Sequence, residues 1–301
     1  MRTTSTVHLL TLLLLGLMLS GCANNALTED SQAVPLKVDY WPHSNVVTTP
    51  LPQLRVASIN LAHGRKNALN QLLVSSTTTR QNLLDIAVYL KQQNIDVVAL
   101  QEADDSSAWS GSFNHVEYIA QHAGYSWYAH SLHSTGKLAN YGTAILSKYP
   151  ISEAYAYHFM PTPPTTTKGF TAAKINITAT QSVDVVSLHL DFSRASKRRQ
   201  QMAELRERFN QHEGSAIIMG DFNSEWEKNE GVVSRFESNS RYRVYQPQSS
   251  QLASYKNKRL DWIFISKDLQ FINYKLGPNT LSDHRPVISL IKLNETLNSS
   301  Q

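Results

Sequence analysis

Polar and ionisable side chains stand at or just beyond one end of five apolar stretches of the sequence. In chain order they are Asn60 after "LRVASI", Glu102 after "VVALQ", His189 after "DVVSL", Asp221 and Asn223 after "AIIMG", and Asp283 and His284 before "RPVISLI". Burying this many charges without compensation would cost roughly several kcal/mol per ion. If the stretches are strands of packed sheets, their ends can converge on one edge, where a shared cation would resolve the cost.

The residue types indicate which cation this would be. Oxygen ligands from Glu, Asp and Asn suit a hard ion such as Mg²⁺, Mn²⁺ or Ca²⁺, and a chain with a single cysteine cannot build a cysteine-rich structural zinc site. With histidines nearby, such a set can polarise a phosphate group and move a proton. The sequence therefore predicts metal-assisted chemistry on a phosphate ester.

The segments that must position these side chains alternate between strand and helix patterns. Leu54–Ile59 is an apolar, β-rich run, and the following segment places Leu83, Ala87 and Leu90 at helical spacing before the buried strand Val97–Leu100. A helix that leads directly into a buried strand is typical of an α/β protein.

Two other segments are predicted to be helical. An arginine-rich helix is expected at about 196–211, with Met202, Leu205 and Phe209 turned inward and the basic residues on a solvated face. The alternative is that its basic cluster steers anionic substrates. The aromatic-rich segment 109–128 favours an amphipathic helix packed on the core over an apolar hairpin that inserts into a membrane.

Length and composition indicate one large domain. The chain has 301 residues, of which 41% are hydrophobic and 17% charged, so it can bury a sizeable core. A formal net charge of +4 is compatible with phosphate-bearing substrates or anionic membrane surfaces, but is too small to indicate nucleic acid. We expect the domain to cover residues 53–293, followed by a polar tail at 294–301.

The N-terminus has the parts of an export signal. One arginine precedes the apolar run Leu9–Leu19, which ends in Leu-Ser-Gly-Cys and resembles a bacterial lipobox. We therefore predict a lipoprotein signal peptide at 1–21, lipidated Cys22 and a flexible tether at 22–52. This places the protein outside the cytoplasm on the cell envelope, at the outer membrane facing the periplasm if the host is Gram-negative. The alternative is an ordinary cleaved signal with an incidental cysteine.

Six short motifs occur in an order that resembles a known family. They are "SIN", "LQE", "SLHLD", "MGDFN", "RLDWIFIS" and "SDHRPV". Together they resemble the endonuclease/exonuclease/phosphatase superfamily, which includes deoxyribonuclease I, neutral sphingomyelinases and inositol-polyphosphate phosphatases. The resemblance implies a four-layer α/β sandwich, with two mixed β-sheets flanked by helices, that cleaves phosphoester bonds with a divalent metal.

The resemblance also implies metal and substrate ligands. Glu102 corresponds to the chief metal ligand, assisted by Asn60 and Asp283. Asn140 corresponds to a position that contacts the substrate phosphate, although Tyr141 leaves the register there open. Lys168 is a further candidate phosphate ligand, for which the alternative is a solvated charge. Four further histidines lie in loop-like contexts, where we expect them to be exposed: His63, His130, His133 and His158.

Five residues match the catalytic positions of the family. Asp221 and Asn223 would orient the attacking water and the scissile phosphate, and His189 would contact phosphate oxygens. Asp261 and His284 resemble the carboxylate–histidine dyad, to which the general base is assigned jointly. The alternative for Asp261 is a pairing with the neighbouring Arg259.

These observations predict a membrane-tethered, monomeric phosphoesterase that depends on Mg²⁺, Mn²⁺ or Ca²⁺. Its substrate stays open between a phospholipid head group, a small phosphoester and nucleic acid. The alternatives are a secreted nuclease that acts on extracellular DNA and a non-catalytic binding lipoprotein on the same fold.

Overall fold

The computed structural model describes residues 33–43, 53–210 and 212–294. The predicted signal peptide, Cys22 and most of the predicted tether and tail lie outside these residues. In the part of the chain that the structure describes, two seven-stranded mixed sheets are flanked by four α-helices. Every described strand and helix therefore falls within residues 33–294.

The first sheet joins its strands in an order that differs from their order along the chain. From edge to edge they are β1 (Val34–Pro35), β7 (Ile151–His158), β8 (Gly169–Asn176), β9 (Ser182–His189), β10 (Ala216–Asp221), β12 (Asp261–Ser266) and β11 (Tyr242–Val244). Only β9 and β10 are parallel; the other neighbouring strands of this sheet pair antiparallel.

The second sheet repeats this plan. Its strands are β13 (Gln270–Leu276), β14 (Val287–Lys292), β3 (Gln53–Asn60), β4 (Val97–Asp104), β6 (Tyr141–Ser147), β5 (Trp127–Ser134) and β2 (Asp39–Tyr40). Again one neighbouring pair, β3 and β4, is parallel and the others are antiparallel.

The helices form the two outer layers. They are α1 (Ser76–Gln92) and α2 (His115–Ala123) on the second sheet, and α3 (Ala195–Asn210) and α4 (Lys228–Ser238) on the first. A third apolar core fills the space between the sheets. The predicted four-layer sandwich is confirmed. No helix of the described residues is long and apolar enough to cross a bilayer.

Strand β3 shows how one segment serves two of these cores. Leu54 and Val56 pack between the sheets, whereas Ala57 and Ile59 pack beneath the helices. Successive side chains of a strand point to opposite faces, so a continuous apolar run fits a strand that is covered on both sides.

The two parallel pairs bring the polar strand ends together. Asn60 lies opposite Gln101 where β3 and β4 end, and His189 lies opposite Asp221 where β9 and β10 end. Asp261 opens β12 at the same level, opposite Asp221. We call this end of the molecule, where β3, β4, β9 and β10 finish, the carboxyl end of the sandwich.

The predicted tether is wrong for residues 34–40. β1 pairs with β7 and β2 pairs with β5, so this segment adds an edge strand to each sheet. Two-residue strands are too short to show an alternating pattern, and a polar, proline-containing sequence is compatible with an edge position. The folded domain therefore begins before residue 53.

The four histidines predicted to be exposed are not. His133 is buried, and the other three are half-buried. His130 and His133 belong to β5, where their Nε2 atoms lie 3.1 Å from the Ala103 carbonyl oxygen and 2.8 Å from Thr143 Oγ1. The predicted helix at 109–128 is also shorter than expected, because α2 ends at Ala123 and residues 127–128 belong to β5.

Gly220, directly before Asp221, is expected to be essential for the packing of β10 on β9. Its φ is +155°, and a Cβ there would lie 1.9 Å from the Leu188 carbonyl oxygen. Gly220→Ala should therefore lower the free energy of unfolding by about 1–3 kcal/mol or more, measured by chemical denaturation. Gly136→Ala is the matched control, since its nearest atom is 3.7 Å away. Equal losses in the two variants would contradict this account.

Candidate active site

The predicted dyad is formed at the carboxyl end. His284 Nδ1 lies 2.7 Å from Asp261 Oδ2, which also accepts a hydrogen bond of 2.6 Å from Ser254 Oγ. This contact orients the imidazole so that Nε2 is on the side of Asp221 and the cleft. Arg259 is the alternative partner of Asp261. Its guanidinium instead donates to the carbonyl oxygens of residues 245 and 246.

Asp221 lies at the centre of the site and is buried. Its Oδ2 accepts a hydrogen bond of 3.1 Å from Asn60 Nδ2 and lies 3.7 Å from His189 Nε2 and 3.9 Å from His284 Nε2. Its Oδ1 accepts a 2.9 Å bond from the backbone N–H of Asn223. One carboxylate thus contacts four of the residues that the sequence singled out.

The two asparagines are held by the backbone as well as by Asp221. Asn60 Oδ1 accepts a 2.9 Å bond from the Ala62 N–H, which turns its amide group toward Asp221. Asn223 has a left-handed φ of 48° and donates its amide to the Leu190 carbonyl oxygen at 3.1 Å. Each amide keeps spare capacity, a lone pair on Asn60 Oδ1 and one N–H on Asn223 Nδ2, for a cation or a phosphate.

Glu102 is presented by a β-bulge. The pairing of β4 with β6 shifts register between Gln101 and Ala103, and Glu102 has a left-handed φ of 48°. A bulge redirects a side chain and is common next to active sites. Here it lets Glu102 reach the cleft, with Oε2 3.3 Å from His63 Nε2.

His63 joins Glu102 to a second carboxylate. Its Nδ1 lies 2.7 Å from Asp104 Oδ2, and the other oxygen of Asp104 accepts a 2.8 Å bond from Trp109 Nε1. Burial would lower the pKa of His63, but Glu102 and Asp104 raise it above its usual value. The sequence reasoning missed this arrangement. The one available signal was that Glu102 and Asp104 are two residues apart on a strand, a spacing that can place both on one face.

The remaining predicted ligands occupy three different environments. Asp283 lines the cleft and pairs with Arg65 Nη2 at 2.6 Å. Lys168 is buried, and burial lowers its pKa against the opposing effect of Glu102. Asn140 lies in the turn before β6, where its Oδ1 accepts a 3.1 Å bond from the Gly136 N–H. Its contact with substrate stays a prediction.

Arg198 corrects the interpretation of the basic helix. Met202, Leu205 and Phe209 are buried as predicted, but Arg198 is buried too and lines the cleft. Its Nε donates to Ser224 Oγ at 3.2 Å and its Nη1 donates to the Asp191 carbonyl oxygen at 2.9 Å. The Arg198 guanidinium, held by these bonds, adds positive charge to the cleft, as in the alternative interpretation of this helix.

These groups surround a cleft of about 440 Å³. It is lined by six of the predicted residues, namely Glu102, His189, Asp221, Asn223, Asp283 and His284, and also by Arg65, Arg198, Phe192, Tyr255 and Lys258. The cleft therefore combines acidic, imidazole and basic groups in a volume that is suitable for a small ligand.

A polar layer lies directly beneath the cleft, between the sheets. Gln101 Nε2 donates to Ser187 Oγ at 3.0 Å, and Ser187 Oγ donates to the Leu100 carbonyl oxygen at 2.8 Å. The hydroxyl groups of Thr143 and Thr171 lie 2.9 Å apart. Both contacts join one sheet to the other, next to the apolar core between the sheets. Directional bonds at this level fix how the two halves of the site align.

Burial and neighbouring charges shift the pKa values of three side chains at the site. Burial raises the pKa of Asp221; His284 opposes the shift, Asp261 and Glu102 add to it, and the pKa reaches about 7. Burial would lower the pKa of His284, but Asp261 and Asp221 raise it to about 10. The pKa of His189 is lowered well below its usual value by burial and by Lys168.

The donor set fits a divalent cation. Ligand atoms of Asp221, Asp261 and His284 all lie within 4.8 Å of one another. Asp261 Oδ1 is buried without a hydrogen-bond partner among the described residues, and Glu102 faces the same cleft. A buried carboxylate whose pKa is raised by its acidic neighbours, beside a carboxylate oxygen that is unpaired, is a suitable environment for a hard cation.

The comparisons agree with this geometry. Residues 57–284 match the model of the endonuclease/exonuclease/phosphatase family, and the chain belongs to this family. Its members act on phosphate esters, generally with a divalent metal. No curated protein is similar enough to match the chain.

Solved structures share the fold at low sequence identity. A family protein from Beutenbergia cavernae is 14% identical, with a TM-score of 0.64 over 80% of this chain and 72% of that one. A family protein from Leptotrichia buccalis is 17% identical, with a TM-score of 0.62 over 78% and 98%. TDP2 from Caenorhabditis elegans is 17% identical, with a TM-score of 0.60 over 80% and 75%.

His63 is expected to support metal binding through Glu102. His63→Ala removes the imidazole that lies between Glu102 and Asp104, so Glu102 should lose its orientation and affinity for Mn²⁺ should fall about 10- to 100-fold. Titration calorimetry of the metal-free protein measures this. His122→Ala, at an exposed position of α2, is the control. If both variants bind Mn²⁺ as the parent does, His63 has no positioning role.

The pKa of His284 is expected to depend on Asp261. Asp261→Asn removes the strongest influence that raises this pKa, so it should fall from about 10 toward or below its usual value, measured by NMR titration of the metal-free protein. Because the folded-state pKa is raised, the stability gained from His284 is fully present below its usual pKa of roughly 6.5 and is lost as the pH rises toward 10. An unchanged pKa in the variant would contradict the assignment, and Asp268→Asn is the remote control.

Proposed function

We propose that the protein is a divalent-metal-dependent phosphoesterase that hydrolyses a phosphodiester or phosphomonoester by in-line attack of an activated water. The observation that carries the proposal is the contact of Asp221 with Asn60 and Asn223, with the Asp261–His284 dyad and His189 beside it. Family membership supports the reaction class. The metal and residue roles rest on the geometry of the cleft.

The metal site of the proposal uses the carboxylates. Glu102 is the chief ligand, with Asn60, Asp283 or the Asp221 cluster completing the set. When bound, Mg²⁺ or Mn²⁺ would polarise the phosphate and neutralise developing charge. Ca²⁺ has the same preference for oxygen ligands.

Different side chains of the protein would accept the proton of the water and contact the phosphate oxygens. Asp221 can orient the attacking water, and its pKa of about 7 suits it to take the proton of that water near neutral pH in place of the Asp261–His284 pair. Asp261 holds a proton on His284 Nδ1, and the raised pKa of His284 suits it to meet phosphate oxygens as a cation. His189 stays neutral and can donate one hydrogen bond, as can the free N–H of Asn223.

The buried cations explain why the substrate should be anionic. Arg198 lines the cleft, and Lys168 lies close enough to Glu102 and Asp221 for their charges to interact. A phosphate group entering the cleft would be attracted by both, with the low dielectric of the site strengthening the effect.

The location in the cell is the second part of the proposal. The lipobox-like end of the apolar N-terminal run supports export and acylation at Cys22. The protein would then act outside the cytoplasm at the membrane surface, as a monomer.

Metal-dependent turnover of bis-p-nitrophenyl phosphate tests the activity. Glu102→Ala and His284→Ala should each lower kcat/KM about 100- to 10,000-fold, and a chelator should abolish turnover. Glu153→Ala, an exposed glutamate of β7, is the control and should leave turnover unchanged. If the parent protein shows no metal-dependent turnover on any diester, monoester, nucleic acid or phospholipid, the binding-lipoprotein alternative replaces this proposal.

A further inference from the structure

Exposed apolar side chains are concentrated at the carboxyl end of the sandwich. Of the eleven large apolar side chains that lie exposed in the described part of the chain, six belong to loops at this end: Leu69, Leu72, Leu73, Leu138, Met160 and Phe192. We call these six residues the apolar rim. A concentration of this kind at one end of a domain marks an interaction surface.

The topology places the whole rim around the cleft. Its four loops follow β3, β5, β7 and β9, which all finish at the carboxyl end. Phe192 itself lines the cleft, and Leu138 accepts a backbone bond from Trp109, the residue that holds Asp104. The rim is therefore continuous with the entrance of the proposed site.

The loop between β3 and α1 contributes half of the rim. The side chains of Leu69, Leu72 and Leu73 are 95%, 66% and 75% exposed. Asn70 Oδ1 accepts a 2.9 Å bond from the Leu72 N–H, so a short helical turn holds the three leucines outward. Moving a leucine side chain from water into an apolar phase gains about 1.5–3 kcal/mol.

The loops of the rim and the helix starts that follow them are mainly basic. Segments 61–84, 135–140, 159–168 and 192–199 contain nine Lys and Arg residues, and the acidic residues next to them are Asp85 and Asp191. Lys168 and Arg198 are buried, and Arg65, Lys66 and Arg194 pair with Asp283, Asp85 and Asp191. Arg80 and Lys137 are exposed beside the leucines of the rim. Exposed leucines among cations suit an anionic lipid surface, where the charges meet head groups and the leucines enter the apolar layer. A nucleic acid would use the cations but would leave the leucines in water.

The N-terminal segment joins the domain at the same end. Val34 pairs with Ala156 and Pro35 with Tyr155, so β1 runs away from the carboxyl end, where β7 finishes at His158. The described chain therefore begins, just before Val34, on the side of the cleft. A lipid on Cys22, twelve positions earlier, is compatible with a membrane on that side.

We infer that the apolar rim seats on the surface of an anionic bilayer, with the leucines of the β3–α1 loop inserted and the cleft facing the lipid phosphates. Phospholipid head groups then become the substrate class. This last step rests on the proposed phosphoesterase activity, whereas the membrane contact can be measured without it.

Vesicle sedimentation tests the surface with the chain from Ala23 onward, which holds every described element and no acylated residue. It should bind phosphatidylglycerol-containing vesicles and bind pure phosphatidylcholine vesicles more weakly. Joint substitution of Leu69→Ser, Leu72→Ser and Leu73→Ser should lower the affinity at least about tenfold. The matched control replaces three exposed apolar residues away from the rim, by Trp41→Ser, Val88→Ser and Ile272→Ser, and should leave binding unchanged.

A fluorescent probe tests insertion directly. Cys22 is the only cysteine of the chain, so Leu72→Cys in the chain from Ala23 gives a single labelling site. A nitrobenzoxadiazole label at this position should shift to shorter emission wavelength on vesicles, and the same label at Ile272→Cys should not. Absence of binding, equal binding by the leucine and control variants, an unshifted label, or leucine-dependent binding to duplex DNA in place of vesicles would each overturn the inference.

Turnover of a soluble diester separates this inference from the proposed function. The leucine variant should hydrolyse bis-p-nitrophenyl phosphate as fast as the parent and should lose activity only on vesicles. A parent protein that binds vesicles but hydrolyses nothing leaves the surface in place and removes the function. A parent that hydrolyses the diester without binding vesicles keeps the proposed function and removes the membrane surface.

Discussion

The burial of Asp221 is the constraint on which the site depends. A carboxylate that is almost completely inaccessible must be matched by hydrogen bonds or opposite charges, or it will take up a proton. Here these groups come from both sheets. Asn60 lies in β3 of the second sheet, and His189 lies in β9 of the first sheet, next to the strand of Asp221. The site therefore exists only when the two sheets are packed. Folding and the assembly of the cleft are the same event.

Several residues near Asp221 have a left-handed backbone conformation. Ala62, His63, Glu102 and Asn223 all have φ between 47° and 53°, in the left-handed region that residues other than glycine seldom adopt. Each such residue costs roughly 1–3 kcal/mol. The surrounding bonds hold them there, since Asp104 fixes His63 and Asp221 fixes the backbone of Asn223. The strain places side chains in positions that a regular strand or turn would not reach.

The sequence predicts the fold and predicts which polar side chains the strands bring together at the carboxyl end, and the reasons are local. Continuous apolar strands that end in a carboxylate, an amide or an imidazole define both the buried sheets and their polar edge, and six ordered motifs indicate the family. What escapes prediction depends on long-range contacts. His63 is buried because a left-handed turn brings it between two carboxylates, and Arg198 is buried because Ser224 and the backbone at Asp191 receive its guanidinium. Asp104 is 41 residues from His63, and Ser224 is 26 residues from Arg198. The edge strands β1 and β2 are too short to carry any pattern.

One connection links most of these features. This connection runs from the end of β3 to the start of α1. In it Asn60 contacts Asp221, His63 contacts Glu102 and Arg65 pairs with Asp283. The three exposed leucines follow directly. The residues that contact the site and those of the proposed membrane surface are thus separated by only a few peptide units. Because Asn67 also bonds to the Asn279 carbonyl oxygen, the base of this loop is attached to the segment that carries His284. In the proposed orientation, the height of the cleft above a lipid surface would be set by this short, hydrogen-bonded stretch. It would not depend on the predicted tether, whose length would limit only how far the domain could move from a membrane.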